Sequence, residues 1–181
     1  MNRVFVEKQT EFNAQARELL HDLRDNLNIH HLEDVRVIQR YDVEGLSGEQ
    51  FTEATRLILS EPQVDSTLEE LSLAANETAF AVEYLPGQYD QRADSAAQCV
   101  QILTQGDKPL ISSAHVIILK GNISEAELSL IKDYTINTVD SREASMEIPA
   151  SLEITAERRP VTKPGEQQDN GEAGEAEMRW R

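Results

Sequence analysis

Short β-branched runs and longer stretches of helical period take turns along the chain, and one succession of patterns occurs twice, roughly 75 residues apart. Val35-Arg36-Val37-Ile38 leads through Gly45 to Ser47-Gly48-Glu49-Gln50, an apolar run and Val64-Asp65-Ser66. Val116-Ile117-Ile118-Leu119 leads through Gly121 to Ser124-Glu125-Ala126-Glu127, an apolar run and Val139-Asp140-Ser141. Each copy predicts a strand, a glycine turn and a helix opened by a capping box. In such a box the serine oxygen accepts the backbone N–H three residues on, and the Glu or Gln side chain reaches back. Two like units, each with an apolar face it cannot cover alone, predict a pseudo-dimeric module.

The remaining pattern fills in both units. Arg3-Val4-Phe5-Val6-Glu7-Lys8 has the content of a short strand. From about Asn13 to Leu27, Ala16, Leu19, Leu20, Leu23 and Leu27 share one helical face, with acidic residues and Arg24 mainly opposite. Asn28-Ile29-His30-His31 is expected to end that helix. A strand over Val35–Val43 and a helix over Gly48–Leu59 follow, stopped near Glu61-Pro62. The second unit opens with a strand over Ala79–Leu85, ended by Pro86-Gly87, and a helix over about Gln91–Leu103. A strand over Ala114–Leu119 and a helix over about Glu125–Tyr134 complete it, and a weaker extended stretch follows the second helix of each unit. The predicted fold is α+β: tandem duplicated ferredoxin-like halves, antiparallel sheets with helices on one face.

After Pro149 no helical or alternating period survives among Pro160, Pro164, Gly165, Gly171 and Gly174, so residues 150–181 are expected to form a disordered tail. The chain of 181 residues is long enough for one domain or two small halves sharing a core. Its 17 Lys and Arg against 33 Asp and Glu give a net charge of −16, carried mainly before the tail. That balance repels a phosphate backbone, and no basic stripe offsets it, so nucleic acid is not an expected partner. No stretch approaches the roughly 20 apolar residues of a membrane helix, and no leader pattern opens the chain. A cytoplasmic location is expected, and the single cysteine, Cys99, agrees with it.

Candidate chemistry concentrates between Tyr84 and Ser95, where a strand turns into a helix. Pro86-Gly87 gives a tight bend. Asp90 is placed to cap the helix, and Asp94 adds negative charge to its first turn. Arg92 offers a planar fork suited to carboxylate or phosphate. Two readings stand side by side, a well-capped helix with an exposed polar face and a contact loop for a partner domain or ligand. Cys99 lies mid-helix without a glycine elbow or a neighbouring His, which predicts a buried, inert thiol. Adjacent His30 and His31 point apart and lack a third ligand, which predicts a solvated helix end. His21 and His115 are isolated and carry no signal. The chain has no phosphate-binding glycine loop and no dense carboxylate cluster for magnesium.

Arg3–Lys8, Val35–Gly45, the block Phe80–Cys99 and Tyr134–Ser145 together resemble the start of long-form phosphoribosylformylglycinamidine synthase, over about residues 2–149. In that family the N-terminal domain is similar to a dimer of the small separate PurS subunit, fused in tandem. The resemblance implies PurS-like halves at 1–76 and 77–149. It also implies a place in purine synthesis, where ATP activates the amide oxygen of formylglycinamide ribonucleotide and ammonia from glutamine displaces the phosphate. The N-terminal part would brace the synthetase against the glutaminase and help complete the ammonia path. Gln88, Asp90, Gln91, Arg92, Asp94 and Ser95 are the expected contact with the synthetase body, Arg92 and Asp94 its polar anchors. The chain leaves the family pattern near Pro149, which reads as a truncation or a shifted frame. The sites for ATP and magnesium and the glutaminase cysteine of the parent enzyme have no counterpart, so no cofactor and no catalytic residue are expected here. The alternative is a free-standing regulatory module that holds a small molecule between its two halves.

Overall fold

The computed structural model describes residues 1–153. Six strands form one continuous antiparallel sheet in the order β3-β1-β2-β5-β4-β6. They are β1 Asn2–Lys8, β2 Asp34–Glu44, β3 Asp65–Leu68, β4 Glu77–Tyr84, β5 Leu110–Lys120 and β6 Ser141–Ala144. Four helices lie between them: α1 Ala14–Asp25, α2 Gly48–Ala54, α3 Gln91–Thr104 and α4 Glu125–Thr135. Each of the two runs, β1-α1-β2-α2-β3 and β4-α3-β5-α4-β6, supplies three neighbouring strands. The runs meet where β2 and β5 pair in full register, from Asp34 opposite Lys120 to Glu44 opposite Leu110.

Local chemistry sets the helix starts. Ser47 and Ser124 both complete capping boxes: the serine Oγ accepts the Gln50 or Glu127 N–H, and the Gln50 or Glu127 side chain accepts the serine N–H. Asn13 and Asp90 cap α1 and α3 in the simpler way, through Ala16 and Ala93 N–H. Helix α1 ends as expected, with Asn28 at φ 57°. Ile29 within that polar stretch is nonetheless a core residue. The helix predicted to reach Leu59 stays α-helical only to Ala54, then widens into a π-helical turn over Thr55–Leu59. Strand β5 begins four residues before the expected Ala114, because Leu110–Ser113 pair along β2 although Ser112 and Ser113 have no strand-like pattern.

All four helices cover one face of the sheet. On β2, Val35, Val37, Tyr41 and Val43 share a side by the two-residue period of a strand. Val35 and Val37 pack with Phe80, Ile117, Leu23 and Ile131, under α1 and α4. Tyr41 and Val43 pack with Val4, Val6, Ala93, Ala97 and Leu59, under α2 and α3. The opposite face is also apolar and buried at its centre, with Phe5, Ile38, Ala81, Val116, Ile118 and Ala144 beside half-buried Leu68 and Leu71. Among the described residues no helix is long and apolar enough to cross a membrane. The tail expected from residue 150 falls, from residue 154 on, outside the described residues. Of its first residues, Leu152 is buried and donates its N–H to Glu44 Oε2 at 2.6 Å.

Candidate functional site: a polar seam between two helix pairs

The α1/α4 and α2/α3 pairs leave a seam above the middle of the sheet. Its floor is Gln39 and His115, which stand opposite each other in the β2–β5 ladder. A two-lobed cavity opens there, about 490 Å3 toward α4 and about 500 Å3 toward the π-helical turn. Gln15, Val37, Arg92 and His115 line both lobes.

The caps of α1 and α3 hold the helix ends to this floor. Asn13 Oδ1 accepts the Ala16 N–H at 3.1 Å, and its Nδ2 donates to the Val37 carbonyl at 3.3 Å. Asp90 does the corresponding work on the other side. Its Oδ1 accepts from Ala93 N at 2.9 Å, and its Oδ2 from Ser113 N at 3.1 Å and Ser113 Oγ at 2.9 Å. Arg92, two residues on, reaches across the seam until its Nη1 is 3.4 Å from the Tyr41 hydroxyl. Its other donors have no partner among the described residues. Gln39 Nε2 donates to the Arg40 and Ala114 carbonyls at 3.3 and 3.1 Å, which leaves its Oε1 as an acceptor. Gln15 Nε2 lies 3.5 Å from His115 Nδ1. Burial holds the His115 imidazole below its ordinary pKa, the Arg92 charge adds to that, and Asp90 works against it. At neutral pH the seam therefore presents a guanidinium, a neutral imidazole and amide oxygens. Gln15, Glu18 and Asp22, at three- and four-residue spacing on α1, contribute one wall of the α4-side lobe.

Apart from Arg92, itself exposed, the segment singled out between Gln88 and Ser95 divides into three by location. Gln88, Gln91 and Ser95 are exposed and face outward. Asp90 is 2% exposed, and its carboxylate is spent on the cap and on Ser113. Asp94 is half-buried and gathers Tyr89 Oη at 2.8 Å, Gln98 Nε2 at 2.7 Å and the Lys108 ammonium. The Lys108 hydrogen bond, helped by Tyr89, keeps the Asp94 carboxyl below the usual range, although partial burial opposes it. The same contact raises the Tyr89 phenol. Cys99 is exposed rather than buried. Helix α3 turns Ala93, Ala96, Ala97 and Val100 to the sheet, and position 99 falls off that stripe. His30 and His31 are exposed, with His31 Nε2 3.3 Å from Glu127. Among the described residues no group of three or more His, Cys, Asp or Glu could hold a metal ion.

A second polar constellation lies on the far face of the sheet. Arg3 grips Asp42 with Nε and Nη2, and donates to the Met146 and Glu147 carbonyls at 2.6 and 3.0 Å. Arg40, 4% exposed, donates to the Ser145 carbonyl at 2.7 Å, and its Nε stands 3.4 Å from Asp42 without a hydrogen bond. Arg142 pairs with Glu83 at 2.7 Å, and Glu83 Oε2 is 4.0 Å from Arg40. Ala114 stands between Arg40 and Glu83 in the ladder, and its small side chain lets them approach across β5. Segment 145–147 is thereby strapped over the sheet by buried arginines.

Gln15, Gln39 and His115 carry no signal in the sequence, because only the non-local pairing of β2 with β5 brings them together. Arg92 could be singled out by type, but its direction toward the seam could not. The chain matches no model of a known protein family and no curated protein.

Proposed function

We propose that the chain is an assembly module built from two PurS-like, ferredoxin-like halves, 1–76 and 77–149, related by duplication. In this reading it belongs to the phosphoribosylformylglycinamidine synthase system of purine synthesis, in the cytoplasm. It braces synthetase against glutaminase, contributes no catalytic group, and leaves ATP and magnesium to its partner domains. The observation that carries the reading is the equivalence across the β2–β5 ladder. Asn13 and Asp90 start the first helix of each run, Ser47 and Ser124 start the second, and Gln39 faces His115 on the dividing line. A unit whose apolar edge is closed by a second copy has its outer helix faces free for neighbouring protein.

The outward face of α3 suits that role. Gln91, Ser95, Gln98 and Ile102 follow one another at helical spacing without a charge, and Ile102 is 77% exposed, in a chain of net charge −16. Gln88, in the turn before the helix, is exposed as well. The test is a pull-down of the full chain with the synthetase body of a long-form enzyme lacking its own N-terminal domain. Retention is expected, with at least a tenfold loss for Gln91→Lys combined with Ser95→Lys at unchanged thermal stability. Equal retention of that double variant, or none of the unaltered chain, would overturn the proposal.

A further inference from the structure

We propose that the seam over Gln39 and His115 is a binding site for a small zwitterionic carboxylate, a free α-amino acid, with the ligand carboxylate on Arg92. The inference develops the small-molecule alternative raised by the sequence, and it is independent of the docking reading. Among the described residues Arg92 is the one guanidinium that lines both lobes, and it is held there by a single long contact to Tyr41. A planar fork with open donors beside a cavity is matched by a carboxylate.

The rest of the lining argues against a plain anion. Beside the guanidinium the seam offers acceptors, the Oε1 of Gln39 and the side chain of Gln15, rather than further unpaired cations. The wall of the α4-side lobe carries two carboxylates of α1, Glu18 and Asp22, and Asp140 lines the same lobe. An ammonium group has partners there and a second anionic group does not. The overall charge of −16 acts in the same direction, since it disfavours phosphates and dicarboxylates over a ligand of zero net charge. Lys8, the cation on the other lobe, is paired with Asp65 at 3.0 Å and adds no free positive charge. The volume of either lobe accommodates a single amino acid.

Isothermal titration calorimetry of the full chain at neutral pH tests the inference with glycine, L-serine and L-glutamine as probes. Acetate, methylamine and inorganic phosphate serve as controls. Saturable one-site binding of at least one amino acid is expected, with every control at least tenfold weaker. Arg92→Gln and the pair Glu18→Gln with Asp22→Asn should each weaken it tenfold or more while thermal unfolding stays unchanged. Gln91→Lys with Ser95→Lys, which alters only the outward face of α3, should leave it intact and so keeps this test separate from docking. Absence of binding by all three amino acids, acetate or phosphate binding as tightly, or affinity that survives Arg92→Gln would overturn the inference.

Discussion

The charge state of the seam turns on one side chain. His115 sits on the sheet beneath Arg92 and Asp90 of α3, and shares its cavity with Glu18 and Asp22 of α1 and Tyr134 of α4. Burial is the largest influence on it and the nearby guanidinium the next, and both favour the neutral ring. A histidine whose pKa is depressed by folding stabilises the folded state fully only above its unfolded value, about 6.5. That contribution is lost as pH falls from there toward the folded value, because the unfolded chain then binds the proton more readily. His115→Gln removes the titration and repeats the residue found opposite, Gln39. Urea midpoints between about pH 7 and 5 should therefore fall less steeply for the variant than for the parent. Parallel curves would show that His115 is as well solvated folded as unfolded. The half-buried Asp94, bonded by Lys108, Tyr89 and Gln98, titrates at lower pH and is common to both proteins.

At the scale of elements, what could be read from the chain depended on how local the cause was. The capping boxes at Ser47 and Ser124, the Asp90 cap and the apolar stripe of α1 are set within a few residues, and the helices begin where those residues ask; Asn13, read only as the start of α1, is its cap. The first turns of β5 were not legible, because Ser112 and Ser113 become strand only by pairing with Asp42 and Tyr41. The exposure of Cys99 follows from its place off the Ala93, Ala96, Ala97 and Val100 stripe of α3, a local period that the expectation of a buried thiol overlooked, whereas the seam depends on which strands meet and leaves no local trace. Gly121 was legible as a turn, yet its full role is tertiary. It has φ 140°, and a Cβ there would lie 3.1 Å from the His31 carbonyl oxygen, where β5 passes the loop after α1. Gly45, at the corresponding turn, has φ 94° but meets nothing nearer than 3.8 Å. Any side chain at a left-handed position costs about 1–2 kcal/mol. Gly121→Ala adds backbone displacement to that strain, so its loss of stability should exceed that of Gly45→Ala by about 1 kcal/mol or more. Denaturant unfolding of the two variants measures the difference, and equal losses would mean that the loop at His31 yields freely.

At the scale of the whole molecule, a single sheet covered by helices on only one side has to account for its other face. Phe5, Ile38, Ala81, Val116, Ile118 and Ala144 make that face apolar, while Arg3, Arg40 and Asp42 set charges among them. A buried guanidinium without hydrogen-bond partners is costly, and Arg40, beside the Asp42 and Glu83 carboxylates, donates one hydrogen bond among the described residues, to the Ser145 carbonyl. Arg3 takes two more carbonyls from Met146 and Glu147, and Glu44 accepts from Ser151 and Leu152. The strap over residues 145–153 thus does two jobs, satisfying the arginines with backbone carbonyls and bringing Leu152 into a buried position. Comparing a chain ended after Ala144 with one ended after Glu153 isolates its contribution. The shorter chain should lose several kcal/mol of stability, from three broken hydrogen bonds to arginine at about 1.5–3 kcal/mol each, moderated by hydration of the freed guanidiniums. Its uncovered apolar face should also bind a hydrophobic dye, or pair with a second copy in sedimentation at raised concentration. Equal stability of the two chains, with no dye binding, would mean that the far face closes without the strap and that the arginines find water instead.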